Sequence, residues 1–204
     1  LDRAGEMPIR FAYSHRMGAS GFAQPEEFYK RTGDIQGHGT DYLWMIGVAL
    51  GSLDSSYPRH CTTVKVSDNI KSRERCEADR EYRVMRAAVQ AGHRISGTHV
   101  YGDGVVDKYL ETLEKASLEA GMTLDQIRAK KHNIDHCGMS PRPDQIERGK
   151  KLNIIWSCAP RYIEDAVDIS RDYGEKYAHE MNAPIQTILR AGGEVVGEMD
   201  DGRL

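Results

Sequence analysis

The chain has 204 residues, 29% of them charged, with a formal net charge of −3. That length buries a good core in a single domain, 1–204, and both charge signs are spread along it, which excludes the basic stripe of a nucleic-acid surface. No apolar run approaches the roughly 18 residues of a membrane span, and the opening LDRAGEMPIR lacks the basic start and apolar core of a signal peptide.

Residues 2–7 read as the end of a helix, and Pro8 to Arg16 as a buried strand with β-formers at Ile9, Phe11 and Tyr13. Pro25 to Arg31 gives a short helix with proline in its first turn. Asp41 to Gly51, the most apolar run, reads as a second buried strand, and the aperiodic stretch Gly51 to Thr63 as a long loop. A helix follows from about Arg73 to Gln90, closed by Gly92. RISGTHVYG is the third strand, ending close to His99, and a helix with Asp103 as its N-cap lies behind it. A short helix, a fourth strand at Lys131 to Cys137, another short helix and a fifth strand, LNIIWSCA, come next. Arg161 to Met181 is mostly helical, NAPIQTILRAGG is a further helix, and EVVGEMDD a sixth strand.

Strands alternating with helices predict a parallel sheet in an α/β fold, either doubly wound or a (β/α)8 TIM barrel. No glycine-rich phosphate loop follows the first strand, which favours the barrel, incomplete in this chain with about six β/α units. The polar residues of interest, His99, His136 and Asp200, lie at the C-terminal ends of strands, where barrels place their active sites. Two imidazoles and a carboxylate are donors for a divalent metal such as zinc, iron or nickel. Singly, a strand-end histidine is more often structural and an aspartate in a DDG turn more often a turn former; the set of three favours a site. Tyr101, His15 and Ser52 lie near strand ends and are candidates for substrate contact, while His132 reads as a supporting or surface residue. Cys61, Cys76, Cys137 and Cys158 have no CxxC spacing and do not look like a disulfide scaffold, so a reducing cytoplasm is expected, with Cys137 as packing.

Three motifs carry a resemblance. HVYGDGVVDKYLETLEK from His99, KHNIDHCGMSPRPDQIER over 131–148 and LRAGGEVVGEMD from Leu189 to Asp200 are similar, in order and spacing, to motifs of the amidohydrolase superfamily, specifically the YtcJ-like amidohydrolases related to N-substituted formamide deformylase; AGEMPIRF resembles that group's GELPVR segment. The resemblance implies a fragment covering barrel strands three to eight. His99 and His136 are then the strand-five and strand-six metal ligands, and Asp200 is the strand-eight ligand and catalytic proton carrier. It implies a metal-dependent hydrolase, acting on a carbon–nitrogen, amide-like bond of a small molecule through water activated by zinc, or by iron, manganese or nickel.

The departures are specific. No HxH pair occurs, the position of the strand-four lysine is matched by Ala49 with no lysine until Lys65, and the strand-eight GSD is altered to EMD, with Asp201 a rival to Asp200. They leave open a catalytically degenerate barrel serving as a structural or partner subunit, and a decarboxylase or other lyase of the same superfamily. The chain starts at Leu and stops at DDGRL just past a strand, so both ends read as cut. A barrel lacking two strands has open edges, so the rest of the barrel, or a partner chain in an oligomer, is expected to complete it.

Overall fold

The computed structural model describes residues 1–16 and 23–199. Seven strands and nine helices follow in the order β1 (Phe11–Arg16), α1 (Pro25–Thr32), β2 (Leu43–Ala49), α2 (Asp68–Lys71), α3 (Asp79–Gln90), β3 (Ile95–Gly97), β4 (His99–Gly102), α4 (Asp103–Glu119), α5 (Leu124–Lys130), β5 (Asn133–Met139), α6 (Pro143–Leu152), β6 (Ile155–Cys158), α7 (Ala166–Tyr173), α8 (Glu175–Met181), α9 (Ile185–Arg190) and β7 (Glu194–Gly197) among the described residues. All pairings between these strands are parallel and follow chain order, β1-β2-β3 in one sheet and β4-β5-β6-β7 in the other. The sheets meet at Thr98, where the backbone passes from β3 to β4 and Asp135 N–H donates to the Thr98 carbonyl at 3.2 Å. The expected α/β class with a parallel sheet is what the chain forms.

Each helix follows from its sequence. In α4 the apolar spacing places Val105, Val106, Tyr109, Leu110, Leu113 and Ala116 on one buried face, against the buried Tyr82, Met85, Ala88 and Val89 of α3. Burying each large side chain there stabilises the fold by roughly 1.5–3 kcal/mol. Thr123 and Gln126 form a reciprocal capping box at the start of α5, and Pro143 opens α6 where no N–H is needed.

Four expectations need correction. The helix expected from Arg73 begins at Asp79, because Cys76 is bonded to Cys61 and residues 73–78 follow that bridge. The single third strand is two, broken at Thr98. The helical stretch 161–181 is a 3-10 turn (Pro160–Asp165) and two helices separated at Gly174. The start, 2–7, holds only a 3-10 turn at Asp2–Ala4.

The cysteine reading is overturned as well. Cys61 is bonded to Cys76 and Cys137 to Cys158, so neither pair is reduced and Cys137 is more than packing. With all four cysteines paired, their spacing no longer argues for a reducing compartment. No helix among the described residues is long and apolar enough to cross a membrane.

The two outer strands are open. Among the described residues β1 pairs only with β2 and β7 only with β6, and Ile9, Phe11 and Tyr13 are 63%, 51% and 37% exposed. Pro8 to Arg16, expected to be buried, is not: no described strand covers its outer edge.

Candidate functional site

His99 opens β4 and His136 lies inside β5, and the register pairs His99 with Asp135 and Val100 with His136. That adjacency brings the two imidazoles together, ring centroids 4.3 Å apart and inclined at 66°. Neither histidine is at the C-terminal tip expected for it: His99 begins β4, because the strand breaks at Thr98, and β5 runs two residues beyond Cys137, so His136 is within the strand.

The backbone at His136 is left-handed, φ 87°, and so is that of Cys137, φ 52°. For residues with a Cβ this costs about 1–3 kcal/mol each and persists only where surroundings impose it. Here they do: Cys137 is bridged to Cys158, Ala159 N–H donates to the His136 carbonyl at 3.1 Å, and the His136 ring meets Glu198 through Nδ1.

Three carboxylates that the sequence reading did not single out surround the imidazoles. Glu198, just past β7, holds His136 with Oε1 and accepts Ser157 Oγ–H on Oε2 at 2.6 Å. Asp54, from the long loop after β2, lies with Oδ1 3.8 Å from His99 Nε2. It also accepts the backbone N–H groups of Tyr101 (2.9 Å), Gly102 (2.9 Å) and Cys61 (3.1 Å). Burial pushes the Asp54 carboxyl up to about 7 against the pull of those donors. Asp135, the register partner of His99, is pushed up to about 6 by burial and by the charge of Glu198, with Thr98 N–H opposing. Both shifts favour the neutral carboxyl, and a cation beside these acids and the two imidazoles would draw them back to the charged form.

Other predicted residues fall elsewhere. Tyr101 is fully buried, with its hydroxyl donating to Asp165 at 2.7 Å and its ring against His60 and Tyr162. It is walled off from a substrate rather than offered to one. Tyr162, unnoticed in the sequence, also meets the ring of His136 at 5.6 Å. His15 is exposed on β1 and stacks on Phe28 at 6.2 Å, and Ser52 is exposed. His132 is 1% exposed rather than a surface residue, and its Nδ1 accepts Ile95 N–H at 3.0 Å. Asp200 and its rival Asp201 lie outside the described residues.

Asp103 does not cap α4; it is the helix's first residue, and its buried carboxylate anchors the long loop. It accepts Thr62 Oγ1–H at 2.5 Å and Thr63 N–H at 3.0 Å, and pairs with Arg142 at 2.7 Å. The same loop is pinned at Asp54 and by the Cys61–Cys76 bridge, so the stretch Gly51 to Thr63 is held at three points. A Cβ at Gly102 would overlap the Cys61 carbonyl, and one at Gly138 would overlap the Tyr101 ring, which is why glycine stands at both.

The donor chemistry suits a borderline divalent ion, yet no group of three His, Cys, Asp or Glu side chains among the described residues could hold one. No protein-family model matches the chain, and no curated protein matches it. A solved structure does: an uncharacterized metal-dependent hydrolase from Pyrococcus furiosus, with a TM-score of 0.69 and 21% identity, covering 99% of this chain and 39% of that one. The two chains share a fold. This chain spans well under half of that hydrolase's length.

Proposed function

We propose that this chain supplies six consecutive strands of a (β/α)8 barrel, a member of the YtcJ-like amidohydrolases, and that the whole barrel is a metal-dependent hydrolase of carbon–nitrogen, amide-like bonds in small molecules. The observation that carries the reading is the meeting of His99 and His136 at 4.3 Å, two residues that the motifs separately mark as ligands. The structural neighbour described as a metal-dependent hydrolase supports the general reading, and the motifs around His99 and His136 support the amide-like substrate.

In this reading His99 and His136 are ligands and Asp200 is both ligand and proton carrier. A divalent ion in the completed cage, zinc or else iron, manganese or nickel, would supply an activated water. Glu198 orients the His136 ring through Nδ1, and Asp54 stands against His99, the roles that carboxylates beside ligating imidazoles perform. The remaining ligands and the strands between the open edges of β7 and β1 come from the rest of the polypeptide or from a partner chain in an oligomer.

The test is metal analysis of the natural protein and of His99→Ala and His136→Ala. Stoichiometric metal lost in both variants is expected, and an active protein without metal refutes the reading. A second reading, a degenerate barrel acting as a partner subunit, draws on the lack of a three-donor group among the described residues. Unchanged activity in His99→Ala would select it.

A further inference from the structure

The break in the sheet at Thr98 has an identifiable agent. In a regular parallel ladder the Thr98 N–H, whose carbonyl already accepts Asp135 N–H, would donate to the carbonyl of Asn133. It donates instead to the Asp135 carboxylate, Oδ2, at 2.6 Å. The Asn133 carbonyl is taken by the Tyr109 hydroxyl at 3.0 Å, and the Asn133 side-chain amide donates to Asp135 Oδ1 at 2.6 Å. Asp135 therefore grips Thr98 through both main chain and side chain, one residue before His99 and directly opposite it in register. The carboxylate lies over Gly97, where a Cβ would stand in ordinary contact with Oδ2 at 3.6 Å.

We propose that Asp135 is a positioning residue for His99: its carboxylate replaces a ladder carbonyl at Thr98, ends β3 there and aims the His99 imidazole at His136. The inference rests on the reading of His99 and His136 as ligands, and it gives a buried acid next to a ligand a task distinct from ligation. The grip has a donor–acceptor polarity. In Asp135→Asn one of the two contacts must set donor against donor, while the reciprocal variant Asn133→Asp/Asp135→Asn restores one acceptor facing one donor at that contact and leaves an oxygen for Thr98.

The experiment uses the natural full-length protein, titrated with Co2+ and followed by its visible absorption, together with ring NMR resonances of His99 in the metal-free state. Asp135→Asn is expected to weaken Co2+ binding by about tenfold or more, the scale for residues that orient ligands, to change the cobalt spectrum and to displace the His99 resonances. The reciprocal variant is expected to recover all three. Unchanged affinity and resonances in Asp135→Asn overturn the proposal. So does a folded reciprocal variant in which both remain displaced, which keeps the test decisive if the single variant fails to fold. Wild-type protein that takes up no Co2+ refutes the metal reading alone, since the His99 resonances still report the positioning.

Discussion

The two disulfides should differ sharply in how they respond to reductant, and the difference can be worked from burial and loop length. Cys76 is exposed and Cys61 half-buried, whereas Cys137 and Cys158 are both fully buried. Exchange requires a thiolate to reach a sulfur, so a mild dithiol without denaturant should release two thiols, those of Cys61 and Cys76, with the other two appearing only on unfolding. The first bridge spans a sequence separation of 15 residues, for which loop-closure entropy gives about 3 kcal/mol of stabilisation. For a domain of this size that converts to a fall in Tm of roughly 6–12 °C. Thiol counting by mass spectrometry and thermal melting of the Cys61→Ser/Cys76→Ser variant check both halves. Four thiols released together, or a melting temperature within about 2 °C of wild type, would refute the reasoning.

Three further outcomes follow from the same geometry. Burial alone would raise the Asp103 carboxyl, but Thr62, Thr63 and Arg142 outweigh it and hold it below its ordinary value of 3.8. Its contribution is therefore complete above that value and is lost as pH falls through the depressed folded value, so Asp103→Asn should flatten the acid limb of a stability-against-pH curve from denaturant melts. Arg142→Ala leaves the buried Asp103 charge without its cation and should cost about 3–5 kcal/mol in urea unfolding; a loss below about 1 kcal/mol contradicts the anchoring role of the Asp103–Arg142 pair. Gly102→Ala forces the Cys61 carbonyl away from β4 and should destabilise by about 1–3 kcal/mol, with faster proteolysis in the stretch Gly51 to Thr63.

What was legible in the sequence was periodicity. The run from Val105 to Ala116 names a buried helical face unambiguously, and the alternation of strands with helices predicts a parallel sheet. His99 and His136 were legible because each stands in an extended motif. What stayed hidden depends on distant partners. Asp54 sits in an aperiodic loop, and its closeness to His99 arises from that loop folding back on the ends of β4, which no local spacing reports. Glu198 opens the altered EMD, but the motif places its aspartate two positions later, at Asp200, and nothing in the local pattern marks the glutamate as a partner of His136. The disulfides were missed for the same reason: Cys137 and Cys158 are 21 residues apart, and only the pairing of β5 with β6 brings them together.

The strictly sequential pairing of the strands also shapes how the molecule is built. Within each sheet, every strand after the first docks on the one synthesised just before it, so a nascent chain can lengthen a sheet unit by unit as it leaves the ribosome, without waiting for a distant segment. The growing edge is never satisfied until the next strand arrives, and each intermediate carries an unpaired row of backbone donors and acceptors. Pairing strands across whole helices is slow relative to hairpin formation, so each such edge stays open for as long as the next helix and strand take to fold.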